Sequence, residues 1–187
     1  MTPSHELKIV FAGPMGAGKT TAIRAISDAP PVSTEVGNHD QKSFAKESTT
    51  VALDYGELLL ENGTSLRLYG TPGQGRFSFM WEIVGRGALG VILLLDASSA
   101  TALSDLMSFV DAFRRTTPDQ AFVVGVGRLP EEYGAQLETF SSALVASGVV
   151  APVFAVDVRA REDVLLLIET LLCILETRMP ETDDAIA

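Results

Sequence analysis

Six stretches of the chain carry apolar residues in runs short enough for strands rather than helices. They are Leu7 to Ala12, Thr50 to Leu60, Ser65 to Tyr69, Leu89 to Leu95, Ala121 to Val126 and Val149 to Val156. The second and third are separated by Glu61-Asn62-Gly63-Thr64, where Asn-Gly is a strong hairpin signal. Helical stretches are expected at Thr21 to Ile26, Ser104 to Arg115, Glu131 to Ser147 and Glu162 to Arg178, each following an apolar run. That alternation predicts an α/β fold of three layers, a mostly parallel six-stranded sheet with helices on both faces. Asp28-Ala29-Pro30-Pro31 stops the first helix, and the polar run from Ser33 to Ser48 has no period of either kind. So long a loop is expected to be either disordered or a functional lid, and its place between the phosphate-loop helix and the next strand favours the lid. The expected domain runs over residues 7–178, with a short extension at 1–6 and a frayed acidic tail at 179–187.

Between the first strand and the first helix lies Gly13-Pro14-Met15-Gly16-Ala17-Gly18-Lys19-Thr20, followed by Thr21, which matches G-x-x-x-x-G-K-[ST] in full. Its glycines let the backbone turn tightly and aim successive N–H groups at phosphate oxygens, and the helix beginning there adds its positive dipole end. Lys19 is placed to reach the β and γ phosphates. Thr20 offers a hydroxyl to Mg²⁺, a cation that takes the rest of its shell from water and phosphate.

Composition narrows the partners. Of 187 residues 47% are apolar and 20% charged, as in one folded domain, and the formal charge of −10 argues against nucleic acid, whose binding rests on Lys and Arg. The one cysteine, Cys173, lies in an apolar helical run and is expected to be a buried thiol in a reducing cytoplasm. His5 and His39 are isolated, so no metal cluster is expected. The first residues lack a basic region, Thr2 does not allow myristoylation, and Asp184-Ala185-Ile186-Ala187 is not a prenylation signal. The apolar run from Val164 to Leu175 is too short to span a bilayer, so neither a membrane segment nor a lipid anchor is expected.

The segment Gly70-Thr71-Pro72-Gly73-Gln74-Gly75-Arg76-Phe77-Ser78-Phe79-Met80-Trp81, with the phosphate loop, resembles switch II of Ras-like small GTPases, most closely the bacterial MglA-like group. Gly73-Gln74 followed by Trp81 is also similar to Arf-like proteins. The resemblance extends from about Leu7 to Arg178. It implies a P-loop NTPase of the small G-protein type, a molecular switch that binds GTP or GDP with Mg²⁺ and hydrolyses GTP slowly. Gly73 would meet the γ phosphate, Gln74 would orient the attacking water, and Thr50, or its neighbour Thr49, would close on Mg²⁺. The resemblance also implies a protein partner at the switch loops, with a roadblock-fold activator as the MglA-like expectation.

Three departures change what the resemblance implies. Gly70 stands where the family has an aspartate that holds a Mg²⁺ water, so weaker metal binding is expected. Met15 replaces a glycine that leaves room for the glutamine and an incoming arginine, so slow turnover is expected. Gly127-Arg128-Leu129-Pro130 replaces Asn-Lys-x-Asp, which removes the guanine-reading carboxylate and is expected to relax base selectivity. Arg128 keeps a side chain able to cover a purine face. Glu131 and Glu132 lie near enough in sequence to substitute as acceptors, although acidic residues at a helix start usually serve its dipole. Asp157-Val158-Arg159 takes the place of the family's last base loop, where a backbone N–H meets purine O6, and Asp157 is equally a helix cap. Arg76 and Arg86 are candidates for a charge-neutralising arginine, and Phe77, Phe79, Met80 and Trp81 for a partner surface. The alternative function is a pseudo-GTPase, a scaffold of relaxed ATP or GTP binding with little hydrolysis. A P-loop kinase is disfavoured by the lack of an Arg-rich lid.

Overall fold

A computed structural model describes residues 7–28, 32–35 and 52–178. Thr49, Thr50, most of the expected lid, and the segments 1–6 and 179–187 lie outside them. In chain order the strands are β1 (Leu7–Ala12), β2 (Val32–Glu35), β3 (Ala52–Leu59), β4 (Ser65–Gly70), β5 (Gly90–Asp96), β6 (Ala121–Gly127) and β7 (Val153–Ala155). The helices are α1 (Lys19–Ile26), α2 (Ser78–Gly85), α3 (Ala102–Thr116), α4 (Gly134–Ala146) and α5 (Arg161–Arg178).

The strands form one sheet in the order β2-β3-β4-β1-β5-β6-β7, antiparallel at β2-β3 and β3-β4 and parallel elsewhere. The six expected strands are joined by β2, whose sequence Val-Ser-Thr-Glu shows no apolar alternation and which is held by its ladder to β3. Asn62-Gly63 makes the hairpin turn: Gly63 has φ 80, and Leu60 N–H donates to Thr64 O at 2.8 Å. This turn sets the β3-β4 register, in which Asp54 lies directly opposite Gly70.

Period-two alternation divides the core into two layers. Ile9, Phe11, Ile92 and Leu94 pack against α1 and α5, through Ala22, Ile23, Ile26, Val164, Leu167, Ile168 and Leu171. Val10, Val91, Leu93 and Leu95 face the other way, onto Trp81 and Val84 of α2, Phe109 and Phe113 of α3, and Phe140 and Leu144 of α4. The central parallel strands β5 and β6 therefore carry no polar face, and the carboxyl ends of the parallel strands open together at one edge, where ligands of such sheets bind.

Some expectations change. Cys173 is exposed, because the buried stripe of α5 runs through Val164, Leu167, Ile168 and Leu171, and two residues beyond Leu171 the helix has turned away from the sheet. The last strand is only Val153–Ala155: Gly148 with φ 73 ends the turn after α4, and Pro152, which has no N–H, contributes only its carbonyl, accepting from Val124 N–H at 2.9 Å. The aromatic segment after Gln74 forms a short 3-10 turn, Gly75–Phe77, and then helix α2; Phe77 in the turn and Trp81 in the helix are buried while Phe79 is 56% exposed. No helix among the described residues is long and apolar enough to cross a membrane.

Candidate functional site

The carboxyl ends of β1, β4, β5, β6 and β7 enclose a cavity of about 1200 Å³, lined by residues of the phosphate-loop motif, Asp54, the 71–73 turn, Asp96, the 127–131 loop and the 157–159 loop. At its phosphate end, Gly13, Gly16 and Gly18 all have positive φ. At Gly18, with φ 94, a Cβ would also come within 2.6 Å of Val158 Cγ2, so glycine there both turns the chain and lets the base loop close down.

Lys19 is 7% exposed, and its Nζ donates to the carbonyl oxygens of Gly13 and Pro14 at 2.8 Å each. Burial pushes its pKa down from 10.5 to about 8, partly offset by the Asp54 carboxylate. The unfolded chain therefore holds this proton more tightly between pH 8 and 10.5, and the ligand-free fold gains stability as pH rises through that window. Phosphate binding has the opposite sign, since it needs the ammonium. Affinity for a nucleoside triphosphate is expected to fall above pH 8, by up to about tenfold per unit. Calorimetric titrations at pH 7 and pH 9 read this directly, and equal affinity at both would mean that Lys19 carries no phosphate contact.

Beside Lys19, the hydroxyl of Thr20 donates to Asp54 Oδ2 at 2.5 Å. Sequence reading passed over Asp54, and the structure shows how it comes to be there. A Cβ on Gly70 would lie 2.9 Å from Asp54 Cβ and 3.1 Å from Ile23 Cδ1, so the missing side chain at 70 makes room for the carboxylate of the neighbouring strand. A hydroxyl that hands its proton to a carboxylate turns its lone pairs outward, a fit for a hard cation. Nearby, Thr71 is 2% exposed and its Oγ1 has no hydrogen-bond partner, a buried polar group left for a ligand to satisfy. The donors present thus fit Mg²⁺ with a phosphate chain, and Thr20 and Asp54 are the residues that would hold it. Among the described residues no group of three His, Cys, Asp or Glu could hold a metal without such a ligand.

The turn after β4 lies on the phosphate loop. A Cβ at Gly73 would approach Met15 N to 2.3 Å, so only glycine allows this contact. Gln74 Nε2 lies 3.7 Å from Met15 Sδ, and Met15 is 74% exposed. Trp81 anchors the turn from below: its indole N–H donates to Pro72 O at 2.7 Å and its ring stacks on Phe109 at 3.8 Å. Arg76 sits over the Phe77 ring, and neither Arg76 nor Arg86 lines the cavity.

At the base end, Arg128 adopts φ 55 and pairs with Asp96 across the β5-β6 ladder. Asp96 is pushed up by desolvation, but its bonds from Ser98 and Arg128 win and hold its pKa below the usual value. Asp157 takes bonds from the Arg159 side chain and from Arg159 N–H, which hold its pKa down at about 2. Asp157 N–H in turn donates to Asp163 Oδ2 at 2.8 Å, while the Asp157 carboxylate is taken up by Arg159 and not by an N–H of the first turn of α5, which starts at Arg161. Tyr133, 41% exposed, lines the cavity here and was not singled out by sequence; Glu131 also lines it and Glu132 does not.

Comparisons with known proteins agree in direction. No protein-family model matches the chain. An uncharacterised protein of Methanocaldococcus jannaschii is 33% identical over 54% of this chain and 57% of its own length. The GTP-binding protein ypt4 of Schizosaccharomyces pombe is 28% identical over 66% of the chain and 50% of its own length. The human Ras-related protein Rab-27B is 23% identical over 95% of the chain and 87% of its own length. The chain thus spans between half and three fifths of the first two relatives. These likenesses, with the α/β fold, support a distant place in the Ras-like small GTPase superfamily.

Proposed function

We propose that this distant relative of the Ras-like small GTPases is a nucleotide-dependent switch that binds GTP or GDP with Mg²⁺ and hydrolyses GTP slowly. The observation that carries the proposal is the seating of Gly73 on the phosphate-loop backbone at Met15. Whatever occupies the γ-phosphate position must press on that contact, and through Pro72 and Trp81 the pressure reaches α2. Mg²⁺, when bound, would neutralise charge on the phosphates. Lys19 binds the β and γ phosphates, Thr20 and Asp54 fix one side of the metal site, and Gln74 orients water. On α2, Phe79 and Ile83 are exposed one turn apart, an apolar face suited to a protein partner. A roadblock-fold activator, an MglA-like subgroup and a cytoplasmic setting belong to the same proposal.

The nucleotide retained on purified protein, released by denaturation and separated by chromatography, tests the binding step. Gln74→Leu is expected to lower partner-stimulated single-turnover hydrolysis at least tenfold while leaving binding unchanged. An unaltered rate would remove Gln74 from the water-orienting role. The second reading, a scaffold that holds nucleotide without hydrolysing it, is favoured by one observation: the Gln74 amide is turned onto Met15. A purified protein with bound GTP and no turnover would establish it.

A further inference from the structure

The seating of Gly73 on the phosphate loop brings together two side chains, those of Met15 and Gln74, in a contact that phosphate binding does not require. Met15 stands 74% exposed at the lip of the cavity, and the Gln74 amide donates through Nε2 to Met15 Sδ at 3.7 Å. A Cβ at Gly73 would lie 2.3 Å from Met15 N, so backbone packing, more than side-chain reach, sets the two residues beside each other. A thioether is a weak hydrogen-bond acceptor on a flexible stem, and Gln74 can leave it readily when water needs orienting.

An exposed thioether is also open to oxidation. Of the other sulfurs among the described residues, Met80 and Met107 are only partly exposed, and Cys173 stands on α5, outside the cavity. When hydrogen peroxide meets Met15, the Sδ lone pair attacks one oxygen and an S–O bond forms as the O–O bond breaks. The proton of the transferred hydroxyl passes to the departing oxygen, which leaves as water; sulfur has lost two electrons and the peroxide has gained them. The resulting sulfoxide carries a strongly polarised oxygen on the very atom that faces the Gln74 amide. A full acceptor then replaces a weak one, and the arrangement with Gln74 turned onto Met15 gains stability over any in which the amide reaches into the cavity.

We propose that Met15 is a site of reversible oxidation, and that its sulfoxide holds the Gln74 amide off the attacking water, so that the oxidised chain keeps its nucleotide and hydrolyses it more slowly. The proposal rests on the reading of the cavity as a triphosphate site in which Gln74 orients water. It adds a means of regulation at that site: a peroxide prolongs the triphosphate-bound state without any protein partner, and reduction of the sulfoxide ends it.

The full chain, treated with dilute hydrogen peroxide and then freed of it, is compared with its untreated form by peptide mapping, GTP affinity in Mg²⁺, and single-turnover hydrolysis. Met15 is expected to be oxidised ahead of Met80 and Met107. GTP affinity should change by less than about twofold while hydrolysis slows roughly fivefold, the population shift that one ordinary hydrogen bond gives. Methionine sulfoxide reductases for both epimers should restore the rate. Two variants, each compared before and after peroxide, isolate the cause. Met15→Leu keeps Met80, Met107 and Cys173 and is expected to show no slowing by peroxide; Gln74→Leu has no amide to hold and is expected to show none either. Equal slowing in parent and Met15→Leu overturns the proposal, because another side chain is then responsible. Slowing that persists in Gln74→Leu, or that comes with lost GTP affinity, overturns it as well, since the sulfoxide then acts on the phosphates directly. A parent that binds no GTP, or binds it without turnover before any treatment, sinks the proposed function together with this regulation. A parent whose turnover depends on Gln74 and ignores oxidation of Met15 sinks the regulation alone.

Discussion

Lys19→Ala is expected to weaken triphosphate binding by roughly a hundredfold or more, since charge-assisted hydrogen bonds contribute about 1.5 to 3 kcal/mol each and two phosphate groups are served. No other cation lies at this end of the described cavity wall; Arg128 and Arg159 stand at the base end. In the ligand-free fold the ammonium is held by two backbone carbonyls, a buried charge the loop keeps ready rather than a stabilising pair. Removing it should therefore not destabilise the free protein, and a melting curve at pH 7 is expected to show the variant as stable as the parent. Calorimetry supplies the affinity. Undiminished binding in a folded variant would mean that the loop does not grip phosphate through Lys19.

The second large effect is expected at Asp54. With Asp54→Asn the Thr20 hydroxyl loses a charged acceptor, and the Mg²⁺ concentration needed to retain nucleotide should rise about tenfold or more. The register offers a sharper experiment. Asp54 and Gly70 face each other across the hairpin, so Asp54→Gly combined with Gly70→Asp moves the carboxylate one strand over without changing the composition of the site. Gly70→Asp alone is expected to destabilise the fold, through the 2.9 Å approach to Asp54 Cβ and the like charge. The double variant should recover much of the Mg²⁺ response. Dissociation of nucleotide on adding a chelator measures both, and a chelator response identical in Asp54→Asn and parent would remove Asp54 from the metal site.

Asp54 also shows where sequence reading stopped. The strands other than β2, the phosphate loop and the helices over Ala102–Thr116 and Arg161–Arg178 are written in apolar period and glycine spacing, which are local signals. A lone acidic residue in the run Ala52-Leu53-Asp54-Tyr55 has no such signal, yet its partner was within reach of arithmetic. Once Asn62-Gly63 fixes the turn, Leu59 pairs with Ser65, and counting outward brings Asp54 to Gly70. The gap at Gly70 and the carboxylate at Asp54 are one feature seen from two strands. Helix α2 was hidden for a different reason. Its buried positions Trp81 and Val84, with Phe77 just before its first residue, recur at helical spacing, but the loop chemistry of Pro72-Gly73-Gln74-Gly75 obscures where the helix begins. The pairing of Arg128 with Asp96 joins residues 32 apart, and neither residue type announces it.

Trp81 is the chain's single tryptophan, among three tyrosines, and its position gives the molecule an optical voice of its own. The indole is 5% exposed, stacked on Phe109 and tied by its N–H to Pro72, one residue before the glycine that rests on the phosphate loop. Its emission is therefore governed by one short segment. If that segment shifts when the cavity fills, the hydrogen bond and the stacking change together, and the colour and intensity of the fluorescence follow. If the segment stays in place, the spectrum does too. The unlabelled protein, in a cuvette with successive nucleotides, can thus report in real time whether occupancy of the cavity reaches the face of α2 that carries Phe79 and Ile83.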